Sequence, residues 1–284
     1  MKICISTEST VDLTKDLIEK YDIKIVPFGI LLGETLKYDG EIDSLDIFKY
    51  VEENKILPKT SSVNEFQYRD FFSTLLEEYD EIIHIAFGKK MSLAGEQAVK
   101  ASKKYDGKVH VIDSASLSTG IALQCIYARE LADSGCSVEE IIKKVGARKD
   151  KVQASFVVNT LEYLYKGGRC SGLSRALGAV LRIKPQIVLR NGEMVPGKKY
   201  MGRQSSVVRK YCEDIIEEFP NIDKRHVFLT HSHATPEMIE EAKGVLKEHG
   251  VDNIHVTIAG CTISSHCGPK CLGILFYDDG GKNY

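Results

Sequence analysis

EIIHIAFG, residues 81–88, is a short run of apolar and β-branched residues that predicts a buried strand. A helical pattern, AGEQAVKASKKY, follows at 94–105, and the pair then repeats as KVHVIDS at 108–114 and LSTGIALQCIYARELADSG at 117–135. Short apolar strands that alternate with helices indicate a parallel sheet covered by helices on both faces. KICIS followed by VDLTKDLIEKY extends the same pattern to the start of the chain.

The alternation restarts near residue 150, which predicts a second α/β unit. ASFVVN predicts a strand, and NG at 191–192 between apolar runs predicts a hairpin. A chain of 284 residues is long enough for two domains of about 100–150 residues each. We therefore expect an N-terminal α/β domain at 1–150 with a parallel sheet flanked by helices. A C-terminal α/β domain at 151–284 should hold a mixed sheet with helices, and a ligand tunnel should lie between the two.

The composition is that of an ordinary globular protein, with 43% hydrophobic and 27% charged residues. A formal net charge of −2 offers no basic field for phosphates, so we expect no nucleic-acid partner. No apolar run is long enough for a membrane helix, and MKICISTEST lacks the pattern of a signal peptide. We expect a cytoplasmic protein in which most of the eight cysteines are buried thiols.

Hydroxyl side chains gather where helices are predicted to begin. In PKTSSVNEFQYRDFF, at 58–72, a capping box can be formed by Ser62 with Glu65 or by Asn64 with Gln67. Either choice leaves Thr60 and Ser61 just before a helix N-terminus, and Ser92 has an equivalent position. Such places suit an anion, because free N–H groups and the positive end of the helix dipole meet there. Ordinary helix capping explains the same residues without a ligand.

The familiar nucleotide and hydrolase motifs are missing from the sequence. It has no P-loop, no G-x-G-x-x-G and no G-x-S-x-G elbow, so we expect no cofactor. A hydrolase triad of Ser92, His266 and Glu8 stays open as an alternative, because triads recur in several chain orders.

SSHCGPKCLG, at 264–273, leaves a zinc site open as another alternative. Cys261, His266, Cys267 and Cys271 offer four ligand types that zinc accepts. Against zinc, His266 and Cys267 are adjacent in the sequence, which is an awkward start for a tetrahedral site. We therefore interpret the stretch as a turn, shaped by Gly268 and Pro269, that carries His266, and we interpret the cysteines as thiols.

Seven stretches in order resemble the DegV family of bacterial fatty-acid-binding proteins. They are STESTVDL (6–13), PKTSSV (58–63), KKMSLAGEQA (89–98), VIDSASLSTG (111–120), LEYLYKGGRCS (161–171), LRIKPQIVLRNGEMVP (181–196) and SSHCGPKCLGILFY (264–277). Each is weak alone, but their order and spacing match over nearly the whole chain.

The resemblance implies a two-domain carrier that holds a long-chain fatty acid, such as palmitate, between its domains. Thr60, Ser61 and Ser92 would bind the carboxylate, while Arg169 and His266 would support it or face a partner. In such a system a separate kinase converts the bound acid to an acyl-phosphate. The resemblance therefore implies a lipid carrier, the accessory subunit of a fatty acid kinase, that is not itself an enzyme.

Three places depart from the pattern of that family. Glu8 stands where an aspartate is usual, Leu93 and Ala94 follow Ser92 in place of glycine and threonine, and Cys267 and Lys270 flank the Gly-Pro turn. Leu93 is bulkier than glycine, so we expect it to narrow the pocket. The expected apolar lining is the stripe of GLSRALGAVL together with four other side chains: Leu173, Ala176, Leu177, Val180, Leu181, Phe28, Ile30, Phe156 and Ile263.

Overall fold

The structure is a computed structural model of the chain that describes residues 1–169 and 183–281. The strands in this part of the chain are β1 Ile3–Glu8, β2 Ile23–Val26, β3 Gly29–Leu32, β4 Thr35–Tyr38, β5 Lys59–Ser61, β6 Glu81–Ala86, β7 Val109–Asp113, β8 Val152–Val157, β9 Ile183–Arg190, β10 Glu193–Met201, β11 Val227–Ser232, β12 Ile254–Ile258 and β13 Cys271–Tyr277. The helices are α1 Lys15–Lys20, α2 Ser44–Asn54, α3 Glu65–Leu75, α4 Ala94–Ser102, α5 Thr119–Asp133, α6 Val138–Arg148, α7 Glu162–Lys166, α8 Gln204–Glu218, α9 Pro236–Glu248 and α10 Cys261–Cys267.

The first sheet has the order β2-β1-β6-β7, and all of its pairings are parallel. All six residues of β1 are buried, as expected for a central strand covered on both faces. The parallel N-terminal sheet predicted from the strand and helix alternation is confirmed.

The second sheet has the order β10-β9-β8-β13-β11-β12. Its β11–β12 pairing is parallel and the others are antiparallel, so the predicted mixed sheet is confirmed. Asn191 (φ 51°) and Gly192 (φ 77°) both have positive φ in the two-residue β9–β10 turn, as the NG dipeptide predicts. The predicted helix at 172–181, with its apolar stripe, lies outside the described residues.

Helix α5 packs between the two larger sheets. Ile121 and Ile126 of α5 belong to one buried cluster with Ile5 and Ile83 of the first sheet and Leu275 of the second. The two sheets are therefore joined by a shared apolar core. The domain boundary near residue 150 stays a prediction. No helix in the described parts of the chain is both long and apolar enough to cross a bilayer.

A third sheet of three short antiparallel strands, β4-β3-β5, was not predicted. The apolar run IKIVPFGILLG is divided at Pro27 into β2, in the first sheet, and β3, in this small one. Proline supplies no N–H to a ladder, which explains the break between the two strands. In the small sheet Thr60 lies opposite Ile30, so Thr60 lies on a strand and not at a helix start.

Candidate functional site

A cavity of about 400 Å³ lies between the end of the first sheet and one face of the second. This volume is within the ~300–1,000 Å³ range of small-molecule pockets. Phe87 borders it after β6, and Phe156 and Leu275 border it from the second sheet. The apolar side chains of its wall are Phe28, Phe87, Met91, Leu93, Leu117, Phe156, Leu164, Met194, Ala259, Ile263, Cys267, Cys271 and Leu275.

Three of the four described residues expected to line a tunnel, Phe28, Phe156 and Ile263, do line this cavity. Ile30 does not, because its side chain is fully buried in a separate cluster with Ile47 and Cys261. Leu93 lies at the rim with 61% of its surface exposed.

His266 and Thr60 meet at the polar wall of the cavity. The imidazole Nε2 lies 2.9 Å from the Thr60 hydroxyl, and both residues line the cavity. His266 lies in the last turn of α10, so the interpretation of this stretch as a turn is wrong for the residue itself. The turn starts one position after the helix, at Gly268 with φ 74°.

Two aspartate side chains hold the start of α10 and explain why this short helix forms. Asp12 accepts a hydrogen bond from the Gly260 N–H at 2.8 Å, and Asp39 accepts from the N–H groups of Cys261 (2.8 Å) and Thr262 (3.2 Å). Burial raises the pKa of Asp12 to about 8, although hydrogen bonds from Ser118 and Gly260 oppose the shift. These long-range contacts have no local sequence signal, which is why the helix was not predicted.

His266 is a neutral imidazole at neutral pH. Burial, reinforced by the positive charge of Arg169, lowers its pKa to about 4. Its Nδ1 has no hydrogen-bond partner among the described residues and lies against Gly167. A Cβ at Gly167 would be only 2.5 Å from this nitrogen, so the glycine allows α7 to pack against the ring.

Ser92 and Arg169 also line the cavity, and each forms a hydrogen bond with a backbone group two residues away in the sequence. The Ser92 hydroxyl accepts a hydrogen bond from the Ala94 N–H at 3.2 Å, at the start of α4. Arg169 is exposed and donates to the Gly167 carbonyl at 2.8 Å. The structure thus brings Thr60, Ser92, Arg169 and His266 to one cavity.

Ser61 does not line this cavity, and Ser62 does. Thr60 is partly buried, Ser61 is exposed and Ser62 is partly buried, which follows the alternation of side chains along an extended chain. Of the two capping boxes, the structure has the one formed by Asn64 with Gln67 at the start of α3. Ser62 is therefore not a helix cap. The two-residue alternation of side chains along an extended chain is the sequence signal that could have identified Ser62 as a cavity residue.

The hydrolase triad is not assembled. Glu8 is fully buried and bonded to the Tyr68 hydroxyl (2.6 Å), to His84 Nε2 (3.2 Å) and to the Phe87 N–H (2.9 Å). Burial alone would raise the pKa of Glu8, but the charge of His84 and these bonds outweigh it and lower the pKa. His266 is hydrogen-bonded to Thr60, so it is in place neither to activate Ser92 nor to be oriented by Glu8.

The four zinc-ligand candidates do not converge. Cys261 packs with Ile30 and Ile47, and its thiol donates to the Ile42 carbonyl. Cys267 and Cys271 belong to a different apolar cluster. Among residues 1–169 and 183–281, no three His, Cys, Asp or Glu side chains are placed to hold a metal ion together.

Thr262 is a cavity residue that sequence reasoning missed. It follows the first residue of α10, is 4% exposed and lines the cavity. Its side-chain hydroxyl has no hydrogen-bond partner within the described part of the chain. No local pattern marks it, since its position depends on how α10 is held by Asp12 and Asp39.

Several proteins of similar sequence or structure are described as fatty acid-binding proteins. A family model described as "Uncharacterised protein, DegV family" matches residues 2–279. A fatty acid-binding protein of Thermotoga maritima is 31% identical over 280 residues, covering 96% of each chain. A structure described as fatty acid binding of a DegV family protein from Thermus thermophilus is 27% identical, with a TM-score of 0.89 over 98% of this chain and 100% of that one. DegV of Bacillus subtilis, described as a fatty acid binding protein, is 25% identical with a TM-score of 0.85 over 98% and 100%.

Proposed function

The chain belongs to the DegV family, and from that membership and the geometry of its cavity we propose that it binds a long-chain fatty acid between its two larger sheets. The observation that carries the proposal is one apolar cavity whose polar wall holds Thr60, Ser92 and His266. An apolar wall suits an acyl chain, and a cluster of hydrogen-bonding groups suits its acid end.

The apolar wall provides the affinity. Burial of an acyl chain of ~14 methylenes contributes roughly 11 kcal/mol before the costs of binding are subtracted. Phe28, Phe87 and Phe156 supply broad apolar surfaces for this contact. Palmitate is our reference ligand because of its chain length. Leu93, at the rim, would narrow the entrance and influence which chains enter.

The polar wall provides the binding site for the acid. A carboxylate that leaves water must be hydrogen-bonded or paired. We propose that the hydroxyls of Thr60 and Ser92 donate hydrogen bonds to the carboxylate. The 2.9 Å hydrogen bond between Thr60 and His266 would hold the Thr60 side chain in position. Arg169 is exposed beside them and would neutralise the charge or meet a partner. Ser62 takes the place that the sequence assigned to Ser61.

We further propose that the protein is a carrier that presents the acid to a separate kinase for acyl-phosphate formation. The support is the family resemblance and a sequence that contains no P-loop of its own. The seven cysteines of the described residues are free thiols, which is typical of proteins in the reducing cytoplasm, where we propose that the kinase meets this protein.

Solvent extraction of the purified protein followed by mass spectrometry tests the binding proposal. We expect about one fatty acid per chain, and the delipidated protein should unfold at a lower temperature until palmitate is restored. A ligand at 100 times its Kd stabilises the folded state by ~2.7 kcal/mol. Methyl palmitate is the matched control ligand, because it keeps the acyl chain of palmitate and blocks the carboxyl group. A protein that carries no lipid and is not stabilised by palmitate contradicts the proposal.

A further inference from the structure

We propose that Cys267 and Cys271 form a reversible disulfide in the wall of the cavity, and that this bond weakens the binding of the fatty acid. Both cysteines belong to the stretch SSHCGPKCLG, and the proposed function makes no use of their thiols. The disulfide itself does not depend on which ligand the cavity takes, whereas its effect on affinity rests on the proposed function. The cavity would then release its ligand when a peroxide oxidises the pair.

The two cysteines reach the cavity from different elements. Cys267 lies four residues after Ile263 in α10, so the two side chains share one face of the helix, and Ile263 lines the cavity. Cys271 is the first residue of β13, and alternation along the strand places it on the same face as Leu275, which borders the cavity. Both cysteines line the cavity and are otherwise buried, with 5% and 6% of their surfaces exposed.

A sharp reversal of the chain brings the two thiols together. Only three residues separate them, and two of these, Gly268 (φ 74°) and Lys270 (φ 61°), have positive φ. Cys267 and Cys271 pack in one apolar cluster, and the interaction with the Cys267 thiol, reinforced by burial, raises the pKa of the Cys271 thiol. Neighbouring thiols can be bridged with little movement of the backbone. In a reducing cytoplasm such bonds are usually transient and serve catalysis or redox sensing.

Hydrogen peroxide is a suitable oxidant, because it is small and uncharged and can enter an apolar cavity. The Cys267 thiolate attacks one peroxide oxygen, the O–O bond breaks, and the leaving hydroxide takes up the proton that the thiol lost, which gives a sulfenic acid and one water. The Cys271 thiol then attacks the Cys267 sulfur, the S–O bond breaks, and the thiol proton leaves with the hydroxyl group as a second water. The raised pKa of Cys271 makes it the poorer nucleophile, so the first attack belongs to Cys267.

The disulfide should disturb the polar wall through α10. An S–S bond is about 2.05 Å long, so its formation draws the end of α10 towards the start of β13. His266 precedes Cys267 and has little room to follow, since a Cβ at Gly167 would lie only 2.5 Å from its Nδ1. A shift of the ring would stretch its 2.9 Å hydrogen bond to Thr60. We therefore expect the oxidised protein to bind palmitate less tightly than the reduced protein does.

Peptide mapping by mass spectrometry after peroxide treatment tests the disulfide. We expect a cross-link between the tryptic peptides 248–270 and 271–282 that dithiothreitol cleaves. Cys267→Ser should abolish this cross-link. Cys261→Ser should keep it, because a serine hydroxyl can donate to the Ile42 carbonyl as the Cys261 thiol does. Absence of the cross-link in wild type, or a cross-link from either peptide to the one that contains Cys170, overturns the inference.

Calorimetric titration with palmitate tests the effect on binding. Oxidation should weaken binding to wild type by about fivefold or more, and dithiothreitol should restore it. The double variant Cys267→Ser/Cys271→Ser should have the same affinity before and after peroxide treatment. By linkage, saturating palmitate should shift the dithiol–disulfide equilibrium of wild type towards the dithiol by the same factor in a dithiothreitol redox buffer.

Three outcomes of the titrations would contradict these expectations. Equal affinities of oxidised and reduced wild type overturn this inference and leave the proposed function in place. A loss of affinity in the peroxide-treated double variant also overturns it, because the effect would then come from another residue. Failure of the reduced, delipidated wild type to bind palmitate overturns the proposed function itself.

Discussion

Replacement of Thr60 by valine removes one atom from the polar wall and keeps the shape of the side chain. The lost Oγ1 lies 2.9 Å from His266 Nε2, and the other ring nitrogen already has no partner among the described residues. The change therefore leaves the imidazole without a protein partner on either nitrogen and removes a donor to the acid. Loss of one partner for a buried polar group costs about 1–3 kcal/mol. We expect Thr60→Val to weaken palmitate binding by about 5- to 150-fold, since each 1.4 kcal/mol is tenfold.

Calorimetric titration of delipidated protein with palmitate at neutral pH measures this effect. The matched control is Ser61→Ala, which removes a hydroxyl one position along the same strand, where the side chain is exposed and outside the cavity. Ser61→Ala should bind palmitate like wild type. If Ser61→Ala weakens binding as much as Thr60→Val, our assignment of faces along β5 is wrong. Wild-type affinity in Thr60→Val would place the acid elsewhere in the cavity.

Two further predictions concern the support of α10. Gly167→Ala should lower palmitate affinity at least tenfold in the same titration, because the added Cβ would lie 2.5 Å from His266 Nδ1. The control is Gly146→Ala, which should leave the affinity unchanged because no atom lies near its added carbon. Equal affinities for the two variants would contradict the packing argument. Asp12 has a pKa near 8 in the folded protein against an ordinary value of 3.8, so its proton contributes stability at low pH that is lost as the pH rises towards 8. Asp12→Asn removes this titration. In denaturation experiments the free energy of unfolding of the variant, relative to that of wild type, should therefore increase as the pH rises from about 5 to about 8. Parallel pH profiles for the two proteins would refute the raised pKa of Asp12.

The larger part of the fold could be predicted because its signals are local. The runs that became β6, α4, β7 and α5 are each long enough to show the period of a strand or a helix. The small sheet shows no such signal, since β5 has three residues and the first three residues of β4 are exposed. Only the break at Pro27 marks the change of sheet, and the effect of a proline on the neighbouring strand depends on its partners.

The site was predictable in its chemistry and less so in its geometry. Thr60 was expected to act from a helix start, whereas its position is set by pairing with Ile30. The start of α3 is capped by the Asn64–Gln67 capping box. The sequence alone did not decide between this capping box and the one that Ser62 and Glu65 could form. Ser62 and Thr262 were missed because each faces the cavity through strand alternation or through a helix held by distant carboxylates.

The placement of charge around the cavity divides its polar side into two parts. Lys89, Lys90 and Arg169 line the cavity but are exposed, and the two lysines already have partners in Asp113 and Glu193. Exposed cations attract an anion from solution, yet each contributes little to its final binding energy. Deeper inside, the groups are hydroxyls and a histidine whose pKa is about 4, so none carries a charge at neutral pH. Neutral donors can hold either a carboxylate or a protonated acid, and they hold the anion less tightly than a buried ion pair would. The carrier that we propose would benefit from this weaker hold, because its affinity would come mainly from the acyl chain and the carboxyl group would stay available to a partner.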